Sequence, residues 1–140
     1  MFKLAGKLSQ QIWLALIWTV TTQVLLSLPG SIFPSRGLFS IPHLDKVVHI
    51  GLFGGLVFFW SLYIYFRKKP LVVSAATLWS IVLVMIAYGI LMEFIQKNFI
   101  PNRSFDRGDI VADVAGSLIG YILTHWFLKW QERDHLYKIN

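Results

Sequence analysis

The stretch VVHIGLFGGLVFFWSLYIYF, residues 47–66, decides the fold. It carries no Asp, Glu, Lys or Arg, and at ~1.5 Å per residue its 20 residues make a helix of about 30 Å, the thickness of a bilayer's hydrocarbon core. Three further apolar runs, Ile12–Leu28, Leu71–Ile95 and Ile110–Leu128, are of similar length. The chain therefore reads as all-α: a polytopic membrane protein with a bundle of four transmembrane helices in one domain, residues 1–140. Composition points the same way. Hydrophobic residues make up 56% and charged residues 14% of the chain, and mean hydropathy is +0.60. A soluble chain this short lacks the polar residues to cover four such helices.

With no cysteine, disulfides, thiolate catalysis and zinc–cysteine sites are excluded. The net charge of +6 comes from short basic flanks of the apolar runs, which fit membrane topology and anionic lipid contact rather than nucleic acid. Lys3 and Lys7 ahead of the first run resemble a signal peptide, but Ser27-Leu-Pro-Gly-Ser-Ile-Phe offers no small-x-small cleavage site, so a retained helix is expected.

Basic residues also set the orientation. Placing the N-terminus inside puts eight of the 13 Lys and Arg on the inner side, including the wholly basic turn Arg67-Lys68-Lys69. Both termini are then cytoplasmic. Residues 67–70 form a tight turn, so the second and third spans are antiparallel neighbours. Residues 29–45, with Pro29, Pro34 and Pro42, and residues 97–109 form outer loops.

Helical spacing gathers the ionisable residues at the outer end. Asp45 and His49 are four apart on the second span, and Glu93 and Gln96 are three apart on the third. On the fourth, Asp109, Asp113, Gly116 and Gly120 follow at steps of four, three and four, one stripe with its carboxylates outermost. His49, Glu93, Gln96, Arg103, Asp109 and Asp113 are expected to line one outward pocket, Glu93 being paired with Arg103, Arg107, His49 or another polar partner. Capping competes for Asp106 and Asp109, which suit the start of the fourth helix. Asp113 lies a turn deeper, where capping does not reach. Gly51-x-x-x-Gly55 and Gly116-x-x-x-Gly120 read as helix-packing faces. Thr19, Thr21, Thr22 and Gln23 read as interhelical hydrogen-bonding groups, and His125 and His135 as bystanders.

Taken in order, Asp45-Lys46-Val-Val-His49, Glu93-Phe-Ile-Gln96, Pro101-Asn-Arg103-Ser104 and Asp109-Ile-Val-Ala-Asp113-Val-Ala-Gly116 resemble the VanZ-like family over residues 40–124. Asp113 stands where many members carry Asn. The resemblance implies a multi-pass protein of the bacterial inner membrane, with a bundle of four to five helices and a link to glycopeptide resistance and cell-envelope physiology.

Three functions compete. In the preferred one the outward site, formed by Asp45, Lys46, His49, Glu93, Gln96, Arg103, Asp109 and Asp113, binds an anionic lipid or a lipid-linked glycan headgroup. Lys46, Arg103 and Arg107 then supply cations, and the helix N-termini add partial positive charge. Partners are membrane lipids or lipid-linked envelope intermediates, with a glycopeptide antibiotic as a further candidate; no cofactor and no resident metal are expected. In the second, the protein is an intramembrane enzyme with His49 or Glu93 as general base and carboxylates holding a divalent metal. The third is an accessory structural subunit whose cluster is an ion-pair network.

Overall fold

In the computed structural model the described residues, 5–32, 42–67 and 73–137, are helical apart from short connections. Four α-helices follow one another: α1 (Ala5–Ser27), α2 (Leu44–Arg67), α3 (Ala75–Phe99) and α4 (Arg107–Tyr137), with one 3₁₀ turn at Gly30–Ile32 between the first two. Three stretches are long and apolar enough to cross a membrane: Leu44–Arg67, Ala75–Phe99 and Arg107–Gln131. The apolar part of α1, Ile12–Ser27, is shorter. The all-α four-helix architecture is the one the apolar runs predict.

The boundaries move for local reasons. α3 starts at Ala75 because Ser74 caps it, its hydroxyl accepting the Thr77 N–H at 3.2 Å, and it runs on past Ile95 to Phe99. It stops where Pro101 follows Ile100 and Asn102 takes a left-handed φ of 58°. The outer loop predicted at 97–109 thus shrinks to 100–106, and Glu93 and Gln96 sit deeper in their helix than the sequence suggested. His43, at φ 62°, turns the chain into α2, and its carbonyl accepts the N–H groups of Lys46 and Val47. The basic turn at Lys68–Pro70 and most of the Pro-rich outer loop lie outside the described residues.

α2 is the centre of the bundle. It packs most extensively against α4 and next against α1, while α3 rests mainly on α4. In a bilayer the lipid is as apolar as the helix faces, so close backbone approach and hydrogen bonds must hold helices together. The α2–α4 contact supplies the first. A Cβ on Gly116 would collide with the Ile50 backbone, one on Gly120 with the Gly54 carbonyl, and one on Gly54 would lie 3.2 Å from the Gly116 oxygen. Gly116 and Gly120 pack as predicted. On α2 the glycine that faces α4 is Gly54; of the Gly51–Gly55 pair read as a packing face, Gly55 does pack, against the Trp18 indole of α1, whereas nothing lies within 4 Å of a Cβ on Gly51.

Hydrogen bonds anchor α1. Trp18 Nε1 donates to the Leu52 carbonyl at 2.9 Å, and Trp60 Nε1 to Thr19 Oγ1 at 3.0 Å. Apolar clusters fill the remaining space, Leu26, Leu52, Phe53, Leu56 and Met92 at one end and Val57, Tyr65, Leu78, Ile81, Val82 and Leu128 at the other.

Gly116→Ala should destabilise the bundle by roughly 1–3 kcal/mol, since the extra methyl meets backbone that cannot rotate away. Gly51→Ala should be neutral or slightly stabilising, through its helix propensity. Thermal unfolding in detergent compares the two; equal losses would remove the α2–α4 approach as the packing determinant.

Candidate functional site

α2 presents Asp45, Lys46 and His49 along its first turns, opposite the start of α4. Lys46 is the hub. Its Nζ donates to Asp106 Oδ2 at 2.8 Å, Asp109 Oδ1 at 3.0 Å and Asp45 Oδ2 at 3.2 Å, three carboxylates for the three protons of one ammonium. Gly108 allows this: a Cβ there would come within 2.6 Å of Lys46 Cε.

Beneath Lys46 lies a second layer. His49 Nδ1 and Asp113 Oδ1 are 2.8 Å apart, and His49 Nε2 is 3.9 Å from Asp109 Oδ2. Both members of the close pair are buried, His49 at 4% and Asp113 at 2% exposure. Gly89 on α3 clears the far side of the carboxylate, since its Cβ would lie 2.6 Å from Asp113 Oδ2. An ionised carboxylate here would be costly without such a partner.

Glu93, 1% exposed, reaches from α3 to the loop before α4, where its Oε2 accepts the Asp106 N–H at 2.8 Å. Asp106 in turn accepts the Gly108 N–H at 2.7 Å through Oδ1, which caps α4. Its other oxygen takes Lys46. Each bond places a residue used in the next, so Glu93 positions Asp106, the Asp106 carboxylate positions Lys46, and Lys46 joins α2 to α4. Asp106, in the loop outside the spans, has its carboxyl held below its usual 3.8, first by the Lys46 hydrogen bond and then by the Gly108 N–H.

The structure thus gathers Asp45, Lys46, His49, Glu93, Asp109 and Asp113 into one cluster, and adds Asp106, for which spacing indicated only a cap. Gln96 and Arg103 turn elsewhere. Gln96 Nε2 donates to the Leu26 carbonyl at 2.8 Å and Arg103 Nε to the Leu28 carbonyl at 3.3 Å. Both hold the C-terminal end of α1, where free carbonyls attract donors and cations. Glu93 is satisfied as expected, but its partner is a backbone amide rather than Arg103, Arg107 or His49. That donor was invisible to spacing because the fold of the 100–106 loop places it. Among the described residues, one set of acids is spaced to hold a metal, Asp45, Asp106 and Asp109, and the Lys46 ammonium sits among its oxygens.

The family model for VanZ/LLP1 matches residues 2–128, most of the chain and every residue of this cluster. The chain belongs to the VanZ/LLP1 family. Comparison with curated proteins and with solved structures gives no match. In this VanZ/LLP1 protein the matched region covers all three spans up to Leu128 and the connections that precede α2 and α4, so the acidic cluster lies wholly inside the family domain.

Lys46→Met should cost about 1–3 kcal/mol by leaving Asp106 and Asp109 without their cation, and adding Asp109→Asn should restore part of it. Equal losses in single and double variants would deny the coupling. Acid adds a second check. A depressed folded pKa means that Asp106 contributes stability fully above its unfolded value of 3.8 and loses it as pH falls through the lower folded value. Asp106→Asn should therefore flatten the loss of stability below that pH in a detergent unfolding series.

Proposed function

We propose that this VanZ/LLP1 protein resides in a bacterial inner membrane with its acidic cluster facing outward, and that the rim of the cluster binds the headgroup of a lipid or lipid-linked glycan of the cell envelope. One observation carries the reading. Three helices and a loop converge five carboxylates, Asp45, Glu93, Asp106, Asp109 and Asp113, at one end of the bundle, yet the side chains of Asp45 and Asp106 remain 52% and 46% exposed. A network built only to hold helices together has no need of a solvent-facing acidic rim.

Of the two expected headgroup classes, the hydroxyl-rich glycan fits better than the phosphate. Lys46 is already neutralised by three carboxylates, and Arg103 spends its Nε on α1. At the rim an incoming phosphate would meet the exposed carboxylates of Asp45 and Asp106. Sugar hydroxyls instead donate to carboxylates in charge-assisted hydrogen bonds. Aromatic surface lies beside the rim: Phe94 and Phe105 pair at 5.4 Å between ring centroids, and Phe99 is 79% exposed. Binding at the rim is preferred to turnover at His49 because that side chain is buried beneath the Lys46 layer, so a general-base role would require the layer above it to open. The family's link to glycopeptide resistance fits a protein that handles envelope precursors at the outer face.

Native mass spectrometry of the protein released from nanodiscs should show retention of monoglucosyl-diacylglycerol in preference to phosphatidylglycerol. Asp45→Asn should weaken that retention about tenfold, the scale of one charge-assisted hydrogen bond. Preference for phosphatidylglycerol would instead favour the anionic class. Loss of an envelope-antibiotic phenotype in His49→Gln with glycolipid retention intact would favour the enzyme. For orientation, single cysteines at Asn102 and Lys129 in this cysteine-free chain should react with an impermeant reagent in intact cells at Asn102 alone; labelling at Lys129 alone would invert the topology.

A further inference from the structure

We propose that the apolar groove between α2 and α4 lined by Phe58, Leu123, Trp126 and Phe127, together with Lys129 and Arg133 at its mouth, is a binding site for an anionic phospholipid, at the end of the bundle opposite the acidic cluster.

The groove has a volume of about 140 Å³ and walls that are almost wholly apolar. Phe58 supplies the α2 side and Leu123, Trp126 and Phe127 the α4 side, with the Phe58 and Phe127 rings meeting edge to face at 6.1 Å. Leu123 and Trp126 are 48% and 66% exposed, so the groove opens sideways toward lipid rather than into the bundle. Apolar cavities of about 150 Å³ stay dry and accept a benzene-sized hydrocarbon. Left empty, such a space forfeits dispersion contacts along its walls. Within a bilayer, a lipid chain is the hydrocarbon that fills it.

The same face of α4 selects the headgroup. Trp126 and Lys129 are three residues apart and Lys129 and Arg133 four, so they share one side of the helix. At ~1.5 Å per residue the two cations lie about 5 and 10 Å beyond Trp126 along the axis. They fall on either side of Gln131, where the apolar span ends, and both are exposed. Between them stands Trp130, 46% exposed and 6.1 Å from the Phe127 ring, at the level where indoles favour the membrane interface. A chain lying in the groove therefore brings its phosphate to an ammonium and a guanidinium.

Charge decides between occupants. Five of the seven acids belong to the cluster at the other end, whereas the flanking segments at this end carry eight of the 13 Lys and Arg against Glu132 and Asp134. A zwitterionic lipid fills the groove equally well but brings its own cation to Lys129 and Arg133. A second copy of the chain suits the face poorly, because a two-fold contact would set Lys129 and Arg133 against their own counterparts.

Native mass spectrometry of protein released from nanodiscs holding phosphatidylglycerol and phosphatidylcholine with identical chains tests the site. Each cation near a membrane surface favours an anionic lipid by about fivefold. Lys129→Gln and Arg133→Gln should each lower the preference for phosphatidylglycerol by that factor, and the double variant should bring it close to parity. Leu123→Trp fills the groove from a position that already faces lipid, and it should reduce phosphatidylglycerol retention about fourfold for each chain methylene displaced. Leu123→Phe, a smaller filling, should do the same in part. Attraction through surface charge alone would leave both Leu123 variants at the wild-type level; that result, or a preference kept in the double variant, would overturn the site. A dimer in detergent that Leu123→Trp dissociates would assign the face to a second copy and overturn it as well. Phosphatidylglycerol held here is told from lipid held at the acidic rim by the substitution that removes it, Arg133→Gln at this end and Asp45→Asn at the other, so failure of this site leaves the rim reading standing.

Discussion

One ammonium group organises the end of the bundle at which α2 and α4 begin. Lys46 Nζ gathers Asp45, Asp106 and Asp109 at 2.8–3.2 Å, and without a cation those carboxylates would repel one another at the edge of a low-dielectric medium. Each carboxylate has a second duty. Asp106 caps α4 and is aimed by Glu93, while Asp109 also borders His49. The ion cluster is therefore a joint between α2, α4 and the α3–α4 connection. Its buried members are held by one another and by the Asp106 amide, while Asp45 and Asp106 also face solvent, so a group of five acids can persist there.

The joint is possible because the backbones of α2 and α4 lie close enough for short polar side chains to meet. Gly54, Gly116 and Gly120 set that separation, with carbonyl oxygens where side chains would otherwise stand. Gly89 and Gly108 repeat the device locally, making room for the Asp113 carboxylate and the Lys46 stem. Absent side chains thus do as much to build the site as the charged ones, and the bundle's packing and its polar chemistry share one geometric cause.

That geometry also divides the polar residues into two groups. Asp45, Lys46, His49, Glu93, Asp106, Asp109 and Asp113 form the cluster, while Gln96 and Arg103 bind the carbonyls at the end of α1. A helix end within a bilayer has few waters to satisfy its last carbonyls, so donors from neighbouring elements are drawn to it. The consequence is electrostatic: with Lys46 set among three carboxylates, the half-exposed side chains of Asp45 and Asp106 give that end of the bundle an acidic edge.

The sequence by itself determined that the chain is a helical membrane protein, because uninterrupted apolar runs of bilayer length have one stable solution in lipid. It also determined which ionisable residues share a depth and a helix face, because a 3.6-residue period follows from position alone: Asp45 with His49, and Asp109 with Asp113. Tertiary structure decided who pairs with whom. Periodicity places Glu93 at the right level but cannot show that its acceptor faces the Asp106 backbone amide, since that amide points inward only once Pro101, Asn102 and the start of α4 have turned the loop. Nor could it choose Gly54 over Gly55 as the partner of α4, because adjacent helical positions differ by about 100° and only the crossing of two helices selects between them. The same holds for Lys46. Sequence marks it as a cation at a helix start, and only the approach of α4 and its loop surrounds it with three carboxylates.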